Sequence, residues 1–348
     1  YSPQRAAEIC GLAEGDIRLF ASWWRELSPA AISVGVAPER NRNGGSGLRA
    51  AFALPALTGN FGRPGAGVCD VSGYFPTEGD ALSRPDLAPP GLREFNVLDL
   101  PRHILDPGDQ QPVKAVFIYN HNPVAVHPRQ GDMCAALASE QLFVVGSDVS
   151  MTDSLAYADV ILPASTSLEY GDLYKAYGHY YLQRSAPVLP PLGESLPNTE
   201  MFRRLAARFG FEEDCFRDSD EDLMDQAISP DCEALQGLRP SQLPVDAAID
   251  MSATSSPGLL RGLPPATPSG KIELFSPTLE TASGQGLPRF KELSDARGFV
   301  LVSHASERRI NSNFVGEADQ FDDLKCQINT DDSAALSLTD VEKVRLIN

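Results

Sequence analysis

Two apolar runs in the chain each end in a polar loop. Val113-Lys114-Ala115-Val116-Phe117-Ile118-Tyr119 leads into Asn120-His121-Asn122-Pro123, and Leu142-Phe143-Val144-Val145-Gly146 leads into Ser147-Asp148. Between them, Met133, Leu137 and the neighbouring alanines read as a short helix. The pattern predicts a β-α-β unit with both loops at the carboxyl ends of parallel strands. Open α/β sheets bind ligands in the crevice outside those ends. A lone carboxylate there, Asp148, accepts hydrogen bonds from an N–H/NH2 pair such as the edge of guanine. The pattern therefore points to a nucleotide-like ligand.

Elsewhere the periodicity is plain in places and absent in others. Ser2-Pro3 reads as a cap with Pro at the first helical position, and Gly11 as the end of that helix. Ile17, Phe20, Ala21, Trp24 and Leu27 fall on one face of a second helix, a stripe expected to pack into a core. Residues 31–36 read as a buried strand. The polar loop Asn41 to Gly47 opens a helix over 48–58, followed by the glycine-rich Gly59 to Gly67. Residues 76–112 carry Pro, Asp and Leu without period, as a long irregular connection does. Thr152-Asp153 caps a short helix, 159–163 is another buried strand, and Asn198 caps a helix that Gly210 closes. Residues 270–276 alternate as a strand, and 299–302, 325–328 and 344–347 carry further strand signals.

Composition narrows the function classes. A net charge of −18 over 348 residues argues against nucleic acid, which needs concentrated Lys and Arg. The acidic run from Glu212 to Asp225 reads as a solvated face, without the ordered ligands and Gly of a calcium loop. No apolar run approaches the roughly 20 residues that span a bilayer, so direct membrane insertion is not expected. No secretory signal is visible; because the first residue is Tyr, that says little about compartment. The cysteines at 10, 69, 134, 215, 232 and 326 lack zinc-like or cluster-like spacing and read as structural thiols. His179 reads as a structural histidine, and His121 and His127 as solvent-facing loop residues. Ser165-Thr166-Ser167 with Glu169 has no base placed by sequence, which dismisses hydrolysis.

Six segments together resemble the molybdopterin oxidoreductases of the dimethyl-sulfoxide-reductase type, the bis-molybdopterin guanine dinucleotide enzymes. They are Leu57 to Val68, Asn120 to Pro123, Val144 to Asp148 with Thr152, Ala158 to Ala164, Pro268 to Ser276, and Asn311-Ser312. Their order and spacing agree along nearly the whole chain.

The resemblance implies an α/β fold class: parallel-sheet dinucleotide-binding domains (parts of two) followed by the start of a double-psi β-barrel. Residues 1–75 would end one α/β cofactor-binding domain, and 76–112 would be an irregular connection. Residues 113–280 would form the carboxyl half of a second cofactor-binding domain, 281–297 a linker, and 298–348 a truncated barrel. The implied cofactor is molybdenum bis(molybdopterin guanine dinucleotide). Asp148 would meet a guanine edge with Thr152 nearby, and Asn120, Asn122 and Pro123 would lie against the dinucleotide. Ser303, His304, Arg309, Asn311 and Ser312 would approach a pterin or its phosphate.

On this reading the chain is a fragment of an enzyme doing two-electron chemistry at molybdenum. It lacks the amino-terminal part, where the family carries the metal ligand and, in some members, a 4Fe-4S cluster. No metal ligand or catalytic residue is therefore assigned. A small-molecule substrate and an electron-transfer subunit would be its partners. Ser72-Gly73-Tyr74 stands where formate-dehydrogenase-like members have Arg-Gly-Gln, which disfavours formate chemistry. Asp340-Val341-Glu342 replaces the usual Asp-Gly-Asp turn. The alternative is a non-catalytic electron-transfer subunit of the same fold, as in respiratory complex I; such a scaffold should lose Asp148 and the polar turn at Asn311, and both are present.

Overall fold

The computed structural model describes residues 1–69, 77–252, 264–293, 298–303, 310–313, 325–340 and 343–346. Helix α1 (Pro3–Cys10) is capped by Ser2, whose hydroxyl accepts the Arg5 N–H, and ends where Gly11 turns left-handed. Then come α2 (Glu14–Glu26), β1 (Ala31–Ser33), α3 (Gly44–Leu57), β2 (Gly67–Cys69), α4 (Gly79–Ser83) and α5 (Leu100–Leu105). The central run is β3 (Ala115–Tyr119), α6 (Pro123–Val126), α7 (Gln130–Leu137), β4 (Phe143–Asp148) and β5 (Val160–Pro163). β6 (Leu173–Tyr174), β7 (Tyr181–Arg184), α8 (Asn198–Phe209), α9 (Asp220–Gln226), β8 (Ala248–Asp250), α10 (Pro277–Ser283) and α11 (Thr330–Ala335) complete the order.

The chain divides into two compact units, one of residues 1–94 with 162–300 and one of 95–161 with 301–348. The division falls inside the span 113–280 expected to form one domain. In the first unit, β1 and β2 pair in parallel and α3 packs on both. β6, β7 and β8 form an antiparallel sheet over a core of Leu182, Ile228, Leu235, Leu243 and Met251.

The second unit is built on β3 and β4, the first two strands of the sheet order β3-β4-β5. β3 and β4 run parallel in register from Ala115 opposite Phe143 to Tyr119 opposite Ser147. Leu100, Ile118, Val124, Met133, Leu137, Leu142 and Val144 form its core. Burying side chains of this kind contributes about 1.5–3 kcal/mol each, which explains why so short a β-α-β unit closes. Gly146 within β4 packs closely on the loop that follows: a Cβ there would lie 3.0 Å from Leu155 Cγ, a tight contact that Leu155 would have to relieve by shifting.

Several expectations fail. The stripe on α2 is not buried by the described residues: Phe20 and Leu27 are exposed, and Trp24 instead donates its ring N–H to Thr58 Oγ1 at 2.9 Å. β1 covers three residues, not six. Residues 270–276 form no strand; Ser276 caps α10 by accepting the Leu279 N–H. The strand signals at 299–302, 325–328 and 344–346 also yield no strand among the described residues. Of the segment 298–348 expected to begin a barrel, residues 304–309, 314–324, 341–342 and 347–348 lie outside the described residues. Asn198 is the first residue of α8 while Pro197 holds the cap position, and Gly210 ends the helix at φ 77° as expected.

Candidate functional site

The site is built at the carboxyl ends of β3 and β4. The chain leaves β3 through Asn120, which is exposed and held at φ 51°, a left-handed conformation that Asn tolerates. Its N–H donates to Ser147 O at 3.2 Å, so the two parallel strands stay tied beyond Tyr119. Pro123 then opens α6, where its fixed φ suits the first helical position.

Asn122 is 4% exposed and turns its side chain inward. Its Oδ1 accepts from Ser154 N at 3.2 Å and from Ser154 Oγ at 2.6 Å, and its Nδ2 donates to Asp153 Oδ2 at 3.4 Å. Ser154, fully buried, accepts the Val124 N–H on its hydroxyl at 3.0 Å. These bonds clamp the loop after β3 to the loop after β4. Buried polar groups are costly unless paired; each atom here that could be orphaned by burial finds a partner in the other loop. The amide oxygen of Asn122 is thus taken up by Ser154, while its Nδ2 makes one long bond to Asp153.

Asp148 is the last residue of β4, not a loop residue. It is half-buried, accepts the Val149 N–H on Oδ1 at 2.7 Å, and makes no ion pair among the described residues. Its second carboxylate oxygen remains available. Ser147 beside it is 1% exposed, and its hydroxyl has no partner among the described residues. Thr152 accepts the Leu155 N–H on Oγ1 at 3.2 Å, but Ser154, not Thr152 or Asp153, holds the cap position of the short turn Leu155–Tyr157 and makes no side-chain cap bond. Asp159 returns to β4, where its carboxylate accepts the Val144 N–H at 2.8 Å and its own N–H donates to Val144 O.

The remaining candidates are not joined to these loops by any hydrogen bond among the described residues. Ser303 and Asn311 are exposed, Asn311 at φ 52°, and Ser312 is half-buried. His304, Arg309 and the segments Ser72-Gly73-Tyr74 and Val341-Glu342 lie outside the described residues.

Sequence reasoning missed Ser154, because an isolated Ser in a loop carries no periodic signal and its partner lies across the sheet. It also misjudged His127. That ring is half-buried, its Nδ1 is enclosed without a partner, and its Nε2 stands 3.1 Å from Nε2 of His121. Burial, and then the neighbouring His121, push its pKa below the ordinary histidine value. His179 accepts the Tyr181 N–H on Nδ1, a local structural bond. Glu169 spends its carboxylate on Thr166 N, Thr166 Oγ1 and Leu192 N, which hold it below the usual carboxylate range. All six cysteines are free. No helix among the described residues is long and apolar enough to cross a membrane.

A molybdopterin oxidoreductase family model matches residues 6–208. The probable oxidoreductase YoaE of Bacillus subtilis is 35% identical over an alignment of 356 residues that covers 100% of this chain and 52% of that protein. A putative dimethyl sulfoxide reductase, its catalytic chain, from Halobacterium salinarum is 29% identical over 300 residues, covering 83% of this chain and 34% of the other. Among solved structures, acetylene hydratase from Pelobacter acetylenicus shares the fold with a TM-score of 0.63 at 24% identity, over 83% of this chain and 44% of that one. The chain spans about half the length of the curated relatives it matches over its whole extent.

Proposed function

The chain belongs to the molybdopterin oxidoreductase family, of the dimethyl-sulfoxide-reductase type, and from that premise we propose that it is a cofactor-holding part of a molybdenum-dependent oxidoreductase that binds bis(molybdopterin guanine dinucleotide). The observation that carries this reading is Asp148: a half-buried carboxylate at the carboxyl end of a parallel strand, free of any ion pair among the described residues. A carboxylate in that position accepts from the ring N–H and exocyclic NH2 of guanine together. Adenine presents no such pair and would leave the charge unmatched.

The residues fit the group in kind. Thr152 fixes the turn beside Asp148, and the Asn122–Ser154 clamp holds both loops without drawing on Asp148. Asn122 would act on the dinucleotide through the loop it anchors, while Asn120 and the backbone around Pro123 offer contact. Ser303, Asn311 and Ser312 are carried forward as pterin-side contacts on the strength of the resemblance. When bound, the cofactor supplies two-electron chemistry at molybdenum, and the protein orients and tunes it. This chain's own residues bind and orient; none is assigned a proton-transfer step.

Mass spectrometry of small molecules released from the full-length protein tests the reading. Hydrolysis should release guanosine monophosphate and a pterin in fixed ratio to protein. Asp148→Ala should lower the guanosine content by about tenfold or more, the loss of a charge-assisted pair of hydrogen bonds worth roughly 1.5–3 kcal/mol. Release of neither guanosine monophosphate nor pterin from the wild-type protein would refute it.

A further inference from the structure

We propose that His121 and His127 form a two-imidazole site for a borderline divalent transition ion of the zinc type. Imidazole nitrogens bind zinc at about 2.0–2.1 Å, so two of them on one ion lie about 2.9 Å apart at a right angle and about 3.4 Å apart at the tetrahedral angle. The two Nε2 atoms stand 3.1 Å apart, between those limits, with the rings tilted by 54°.

Both ring origins are fixed in advance. The residues lie on either side of the one-turn helix α6, whose loop is locked by Asn122 and Ser154 and whose Val126 and His127 N–H groups bond back to Asn122 O and Pro123 O. A chelate built on a fixed loop loses little entropy on binding. His121 is exposed and His127 half-buried, so the ion would keep an open side. No group of three His, Cys, Asp or Glu able to hold a metal occurs among the described residues, so water completes the shell. None of this depends on the guanine reading of Asp148.

The test is isothermal titration of the tag-free full chain with zinc chloride at pH 7, repeated on His121→Gln and His127→Gln. One equivalent of bound zinc should disappear in each single variant, with melting temperatures in zinc-free buffer near that of the wild type. Nitrogen NMR of the wild type should show both Nε2 resonances moving to the metal-bound range on zinc addition. Zinc stoichiometry unchanged by either substitution would overturn the proposal. So would an Nε2–H···Nε2 hydrogen bond that persists in saturating zinc, because the contact would then be a proton-shared pair.

Discussion

The β-α-β unit of residues 115–161 and the segment 298–302 are written in the same alphabet and end differently. Ala115 to Tyr119 and Phe143 to Gly146 are short apolar runs, and so is Phe299 to Val302. In the first region, Val144 is 1% exposed and Ile118 5%; in the second, Phe299, Val300, Leu301 and Val302 are 63–77% exposed and belong to no strand. β3 finds β4 within the next few tens of residues, with α7 covering the pair. Residues 299–302 have no ladder partner among the described residues. An apolar run becomes a strand only when something satisfies its backbone and covers its face.

The largest expected effect separates the two regions directly. Met133, 1% exposed beneath the parallel sheet, should cost about 2–5 kcal/mol of stability when changed to Ala. Val300→Ala, at 74% exposure, should stay within about 0.5 kcal/mol. Urea unfolding of both variants measures this. A penalty for Val300→Ala as large as that for Met133→Ala would mean the segment packs against something after all, and the contrast would vanish.

A smaller change sharpens what holds the loops above the sheet. Ser154→Ala removes a hydroxyl that serves Val124 N and Asn122 Oδ1 together. It should cost about 1–3 kcal/mol, the penalty for stranding buried polar groups. Amide exchange at Val124 should accelerate while that of the β6–β8 sheet stays unchanged. Equal acceleration in both places would show that the clamp only reports global stability.

How much of this was legible follows the same division. β3, α7, β4 and β5 were readable because their apolar residues are contiguous and their partners are near in sequence. Asp148 was readable as a chemical oddity at a strand end. Ser154 was not, since its role exists only once Asn122 has been brought across the sheet. The sheet β6-β7-β8 was not legible either: its strands are two to four residues long, and β8 follows β7 only after two helices. The α2 stripe and the 270–276 alternation have the right period but no cover in one case and no partner in the other. Periodicity states which face wants burial; whether a surface exists to bury it is a tertiary fact.

The smallest effect is one of pH, and it lies in the structured region alone. Burial holds the pKa of His127 below its unfolded value of about 6.5, so protonation is easier in the unfolded chain. The folded state is therefore favoured above about pH 6.5. That advantage is lost as pH falls from there through the lowered folded pKa, because the unfolded chain takes up the proton first. In metal-free buffer, unfolding free energies of the wild type measured between pH 7.5 and 5.5 should decline more steeply than those of His127→Gln. A control that substitutes the exposed His121 should keep most of that excess slope, because His127 and its burial remain. Parallel curves for wild type and His127→Gln would mean the ring is solvated enough to titrate as in the unfolded chain.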